Sequence, residues 1–272
     1  MTYFAFLLRF LVIPILLLLL VNLRWKDSPT SEFNQAKIWR GILVHIVLAV
    51  VYTTPWDNYL VATGVWYYDP DLVTGILFGY VPLEEYTFFV LETLMIGLWW
   101  WTLARRNAFP PKTQFIPNKS LRTGSLGLLT VLWATSLLVL LSDWEPGTYL
   151  AITLTWALPA ITPQLAFGAD ILWHYRRLLG TVILTGAGYL SAMDAIAIEA
   201  GTWTISPAQS TGILIGNLPI EEAIFFVVTI VLVSFGITLL LADVSQERLD
   251  ELQSLLGRLR GRGSTSARDS GA

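Results

Sequence analysis

Cysteine is absent from the 272 residues, which removes disulfides, thiolate metal ligands and cysteine nucleophiles together. Histidine is close to absent. His45 and His174 are the only two, and with acids as the sole other ligands a structural zinc finds no suitable set. Charge is scarce too, at 14% of residues against 54% apolar, and the mean hydropathy of +0.60 lies outside the usual range of soluble domains. No Gly-x-Gly-x-x-Gly turn is present for a flavin or nicotinamide cofactor. These absences leave a chain whose solvent is the bilayer, with no metal, no cofactor and no nucleic-acid partner expected.

Apolar runs long enough to cross roughly 30 Å of hydrocarbon, about 20 residues of helix, recur at about 3–23, 38–56, 77–103, 122–142, 148–167, 178–198 and 213–242. The first lacks a basic region ahead of it and a small-x-small cleavage site behind it. Asn22-Leu23-Arg24-Trp25-Lys26 resembles a membrane-exit anchor, so the run is a span and not a signal peptide. Pro159 and Pro163 interrupt the fifth run, which membrane helices tolerate. The expected fold is all-α and polytopic, with seven transmembrane helices.

Basic residues fall on one side. Arg24, Lys26, Lys37 and Arg40 lie between spans 1 and 2; Arg105, Arg106, Lys112, Lys119 and Arg122 between spans 3 and 4; Arg176 and Arg177 between spans 5 and 6. Five more arginines lie in the tail, Arg248, Arg258, Arg260, Arg262 and Arg268, whereas the connections after spans 2, 4 and 6 hold no Lys or Arg. The positive-inside rule then puts the N-terminus outside and the C-terminus in the cytoplasm of a multi-pass cell-membrane protein. Arg9, near the outer end of span 1, stands apart. From about Asp243 the chain reads as a short amphipathic helix followed by disorder.

The sequence also repeats. A shift of 137 positions superimposes Asp57 on Asp194, Gly64 on Gly201, Trp66 on Trp203, Pro70 on Pro207, Gly79 on Gly216 and Pro82 on Pro219. Without a gap it also superimposes Glu84-Glu85 on Glu221-Glu222 and Phe88-Phe89-Val90 on Phe225-Phe226-Val227. Spans 1–3 thus match spans 5–7, so the copies point the same way across the membrane and span 4 is their connector. The expected units are a first three-helix repeat over 1–105, a connector over 106–143, a second repeat over 144–242 and a charged tail over 243–272.

Each copy carries Pro-x-Glu-Glu at the outer start of its third helix. Proline and acids in a first turn are ordinary helix-start chemistry. Here, however, the motif recurs in register, is followed at once by two phenylalanines, and has no cation beside it. Of the twenty acids, twelve lie in the basic-free outer half, among them Asp57, Glu84, Glu85, Glu92, Asp194, Glu221 and Glu222. A desolvated carboxyl beside other carboxyls is disfavoured as an ion, which makes it a candidate general acid. Adjacent helical positions face about 100° apart, so one glutamate of each pair can face the interior while the other meets a neighbouring helix or water. Asp57 and Asp194, at the same depth, can complete the cluster. Glu92 lies on the Glu85 face but is Thr229 in the second copy, which favours a structural or tuning role. Trp99-Trp100-Trp101 reads as an interfacial belt. Trp66 and Trp203 read as belt residues or, with Trp56 and the phenylalanines, as a wall that steadies a cation by its ring faces.

Pro55-Trp56-Asp57-Asn58-Tyr59-Leu60, Gly64-Val65-Trp66-Tyr67-Tyr68 and the two Pro-x-Glu-Glu-x-x-Phe-Phe stretches resemble the non-flavin lycopene cyclases. This membrane family occurs as two small subunits in some bacteria and as one fused chain in others, in archaea and in fungi. The resemblance covers about 1–242. It implies a fused enzyme of isomerase type that closes β-type rings on lycopene or a related linear carotenoid without net redox change. It further implies Glu84, Glu85, Glu221, Glu222, Asp57 and Asp194 as catalytic candidates, and Trp56, Trp66, Trp203, Phe88, Phe89, Phe225 and Phe226 as substrate-binding ones. Membrane lipid and other carotenoid-pathway enzymes are the expected contacts. Trp56-Asp57-Asn58 becomes Met193-Asp194-Ala195 in the second copy, so equal roles for the copies are not expected. The competing readings are a transporter using the same acids or a non-catalytic pathway subunit. A retinal photoreceptor would need a lysine in span 7, where there is none.

Overall fold

The computed structural model describes residues 1–24, 35–106 and 114–254. Trp25, Lys26, Lys112, the four arginines beyond residue 254 and the expected disorder there lie outside the described residues. Among the described residues, seven helices are long and apolar enough to cross a membrane. They are α1 (Tyr3–Arg24, with a π-helical turn at Leu8–Val12), α2 (Gln35–Ala62), α3 (Leu83–Arg106), α4 (Lys119–Leu141), α5 (Thr148–His174), α6 (Arg176–Glu199) and α7 (Ile220–Leu241). An eighth, α8, covers residues 243–254.

α3 is the most enclosed span and α7 the next, while α4 is mostly uncovered and packs on α5. The third helices of the two copies therefore form the centre of the bundle. α2 and α6 flank them, and the connector lies at the periphery. α5 continues through Pro159 and Pro163 and leaves helical geometry only at Gly168, where a β-carbon would meet Leu239 Cδ2 at 2.4 Å.

Two of the expected span boundaries are corrected. Residues 77–82 and 214–219 are not helical but form two short hairpins, β2 (Leu77–Phe78) with β3 (Val81–Pro82), and β5 (Leu214–Ile215) with β6 (Leu218–Pro219). Gly79 and Gly216 turn them at φ +70° and +67°, a region open to glycine at little steric cost, and Pro82 and Pro219 cannot donate to a helix ladder. Apolar composition alone does not separate these exposed strand tips from helix. α2 also runs six residues further than the expected 56, through Pro55 to Ala62.

Above the helices β1 (Trp66–Tyr68) pairs antiparallel with β4 (Trp203–Ile205), Tyr67 lying opposite Thr204. Those two residues are equivalent under the 137-residue shift, so the pairing is centred on the axis that relates the copies. Ser206 N–H donating to Val65 O at 2.8 Å and Gln209 Nε2 donating to Thr63 O at 3.1 Å add further ties between the copies.

Candidate active site

The Pro-x-Glu-Glu turns place their two carboxyls in different surroundings, as adjacent helical positions must be. The first glutamate of each pair clamps the loop before its own hairpin. Glu84 Oε1 accepts from Thr74 N–H at 2.7 Å and Oε2 from Thr74 Oγ1 at 3.2 Å. Glu221 Oε1 accepts from Thr211 N–H at 2.7 Å and Thr211 Oγ1 at 2.6 Å. Thr74 and Thr211 are themselves equivalent under the 137-residue shift, so each copy clamps the same loop, Glu84 with both oxygens and Glu221 with one.

The second glutamate of each pair faces inward. Glu85, Glu222 and Asp194 line one chamber with Tyr3, Trp56, Trp66, Tyr68, Phe88, Phe89, Trp203, Ile205, Phe225 and Phe226. The structure thus brings together three of the six catalytic candidates and all seven aromatic ones. Glu84, Glu221 and Asp57 are buried but do not line it. Among the described residues no Lys, Arg or His lines it either. Both copies contribute, so there is one composite chamber and not one per repeat. Its cavity volume of about 30 Å³ has room for a water or two, so a larger guest requires aromatic side chains to move. The walls are close-set rings. Trp56 stacks on Phe225 at 5.5 Å between centroids and on Trp156 at 4.4 Å, and meets Trp66 edge-on. Tyr3 lies 4.9 Å from Trp203.

Three tyrosines that the sequence reading passed over hold the inward glutamates. Glu85 Oε2 accepts from Tyr3 OH at 2.5 Å and from Tyr68 OH at 2.9 Å. Glu222 Oε1 accepts from Tyr149 OH at 2.7 Å. Tyr3 and Tyr149 are structural counterparts: their N–H groups donate to Leu72 O and Gln209 O, which the 137-residue shift makes equivalent. Tyr68 has no phenolic counterpart, since Ile205 occupies the matching place. Burial, with the Glu85 charge beside it, pushes the Tyr68 phenol well up, so it remains a donor throughout the ordinary pH range.

The aspartates differ as well. Asp194 Oδ1 accepts from Trp203 Nε1 at 3.0 Å, whereas among the described residues neither Asp57 oxygen nor Trp66 Nε1 has a partner. Glu92 Oε1 accepts from Thr229 Oγ1 at 2.9 Å, joining equivalent positions of the two copies. Both line a groove of about 230 Å³ between α2, α3, α5 and α7 that shares Phe89 and Phe225 with the chamber.

Toward the other end of the bundle, Arg248 of α8 makes a two-pronged pair with Asp170 of α5, each bond 2.8 Å, and Arg122 lies 3.8 Å from the same carboxylate. The α8 helix is docked by this pair, as an amphipathic segment needs a partner or a surface.

The sequence model of the family described as lycopene cyclase matches residues 1–100 and 146–240, that is, both three-helix copies without the connector. A lycopene beta-cyclase of Halobacterium salinarum is 41% identical over 200 residues, 73% of this chain and 81% of that protein. A bifunctional lycopene cyclase/phytoene synthase of Podospora anserina is 34% identical over 197 residues, 70% of this chain and 33% of that protein. No solved structure matches significantly.

Proposed function

The chain belongs to the lycopene cyclase family, and from that premise we propose that it closes β-type rings on the ends of lycopene, or of a related linear carotenoid, inside the composite chamber. The observation that carries this reading is the chamber itself, with three carboxyls, walls of indole and phenyl rings, and no basic side chain lining it. Ring closure adds a proton at the terminal double bond. The next double bond attacks the resulting tertiary cation, and a proton is then lost to leave the ring double bond. Carboxyls supply the acid and the base. Ring faces steady the cation and exclude the water that would quench it.

Glu85, Glu222 and Asp194 are the proposed proton-handling groups, and the seven aromatic candidates form the wall. Glu84, Glu221 and Asp57 are assigned to building the chamber. The two three-helix units, 1–105 and 144–242, act as halves of one site joined by the connector 106–143. The groove toward Glu92 is the path for the polyene tail, since it meets the chamber at Phe89 and Phe225. The basic-free half supports a chamber near the outer leaflet, with the N-terminus outside and the tail from 243 in the cytoplasm.

Conversion of lycopene in membranes suspended in heavy water tests the reading. Each ring is expected to gain one deuteron, on the carbon next to the gem-dimethyl centre. Unchanged lycopene, or rings free of solvent deuterium, would overturn it.

A further inference from the structure

The chamber is built from two related halves, yet its proton chemistry is not two-fold symmetric. We infer that the two inward glutamates hold fixed and different roles: Glu222, beside Asp194, delivers the proton that starts closure, and Glu85, held by Tyr68 and Tyr3, is the carboxylate that takes the proton at its end. This rests on the function proposed above and goes beyond it, since a cyclase needs an acid and a base but nothing in that need says which half supplies which.

Donor geometry decides the assignment. Glu85 Oε2 has two lone pairs and spends both on phenols, Tyr3 at 2.5 Å and Tyr68 at 2.9 Å. The Tyr3 and Tyr149 bonds are both short, so the number of donors and not their length separates the two glutamates. Glu222 receives one phenol, Tyr149 at 2.7 Å, and Ile205 stands where a second would be. Asp194 receives one indole N–H. Three carboxyls line the same small space with no basic residue among its walls, so they cannot all carry charge. The charge rests where most donors converge, on Glu85, and the protons on the Glu222–Asp194 side. Asp57 does not line the chamber, and among the described residues no hydrogen bond joins it to Glu85.

The step balances without any co-reactant. The Glu222 O–H proton becomes the new C–H at the terminal double bond, whose other carbon becomes the tertiary cation. The electron pair of the neighbouring double bond forms the ring C–C bond and moves the cation onto a ring carbon. Glu85 removes a proton from the adjacent ring carbon, and that C–H pair becomes the ring double bond. The proton gained by Glu85 then leaves to water and Glu222, with Asp194 beside it, takes one back from water, so the enzyme is reset and each new ring carries a solvent proton. Tyr68 acts through Glu85 and is a positioning residue.

Product analysis with lycopene in native membranes separates the roles. Glu222→Gln should consume no lycopene, a loss of at least about 100-fold, the lower range for general-acid catalysis. Glu85→Gln should still consume it, but the cation should lose its proton to a weaker acceptor from another adjacent carbon, yielding rings with a displaced double bond. Tyr68→Phe, which keeps the ring packing and serves if Glu85→Gln does not fold, should give β rings and displaced rings together. A merely structural residue would alter the amount of product and leave the double-bond position alone. Displaced rings from Glu222→Gln, no consumption by folded Glu85→Gln, or β rings alone from Tyr68→Phe at the wild-type rate would each overturn the assignment. Failure of the wild-type chain to form any ring would instead overturn the proposed function.

Discussion

The loop-clamping glutamates and the inward ones should fail in different ways when their charge is removed, and Glu221→Gln is the sharpest instance. Glu221 Oε1 holds two hydrogen bonds from Thr211, at 2.7 and 2.6 Å, while its buried Oε2 has no partner. A bond to a charged acceptor contributes about 1.5–3 kcal/mol and one to a neutral acceptor about 0.5–1.5. Converting both to neutral bonds therefore costs about 2 kcal/mol, and the amide NH₂ must then occupy the place of the partnerless oxygen, which adds to the loss. For a chain of this size that corresponds to a fall of roughly 4–8 °C in melting temperature. Glu84→Gln should cost less, because one of its two Thr74 bonds is already long at 3.2 Å. Purified in detergent, both variants should melt earlier yet convert lycopene, per folded molecule, within a few-fold of the parent. Glu222→Gln should show the reverse, a near-unchanged melting temperature with activity lost. Abolished turnover in Glu221→Gln at unchanged stability would refute the division between clamp and chemistry.

Gly79→Ala should destabilise more than Gly216→Ala. Both sit at positive φ, but a β-carbon at Gly79 would meet Asn58 Oδ1 at 2.1 Å while one at Gly216 meets nothing within 4 Å; thermal denaturation of the pair reads the difference directly. Arg248→Ala removes the two-pronged partner of the Asp170 carboxylate and leaves it the Asn118 N–H and the more distant Arg122, so the cost falls below the about 3–5 kcal/mol of a buried charge stripped of its partner, and limited proteolysis should then release the tail much faster than in the parent. Cysteines placed at Asp143 or Glu199 in this cysteine-free chain should react with an impermeant thiol reagent on intact cells, and one at Lys119 should not. The opposite labelling would move the chamber to the cytoplasmic leaflet.

The number of spans, their order and the duplication were legible in the sequence because hydropathy and residue identity each repeat on a scale longer than any local ambiguity. The two hairpins were not, since Leu77-Phe78 and Leu214-Ile215 are as apolar as the helices that follow them and only Gly79 and Gly216 mark the turn. Glu85, Glu222, Phe88, Phe89, Phe225, Phe226, Trp66 and Trp203 were singled out because they match in register, and Trp56, set against Met193, through the motif around it. The tyrosines were missed for the same reason. Tyr3 and Tyr149 stand 146 positions apart instead of 137, so a gapless shift sets Tyr3 against Leu140, and Tyr68 is matched by Ile205. Register also overstated the likeness of Asp57 and Asp194, whose residue type is the same while only Asp194 receives an indole N–H and lines the chamber. The Asp170–Arg248 pair joins residues 78 apart in sequence, and charge distribution alone placed both in the basic half without bringing them together.

Residues kept identical in both copies do two things: the Thr74–Glu84 and Thr211–Glu221 clamps, the positive-φ glycines and the prolines before each third helix hold the backbone, while Glu85 and Glu222, with the phenylalanine pairs and Trp66 and Trp203, line the chamber. The copies differ in what meets those shared groups, as Tyr68 against Ile205, Glu92 against Thr229, and an indole donated to Asp194 by Trp203 with no such bond from Trp66 to Asp57 among the described residues. A proton-initiated closure uses this difference. At the moment of reaction one carboxyl must carry a proton and another must not, and a perfectly two-fold chamber would hold both arrangements at equal energy, leaving the choice to the bound substrate. One phenol present in one half and missing from the other removes that degeneracy; a hydrogen bond to a charged group contributes about 1.5–3 kcal/mol, a bias of roughly ten- to a hundredfold. Duplication thus supplies two carboxyls at one depth on one axis, and divergence at the axis determines which of them begins the reaction.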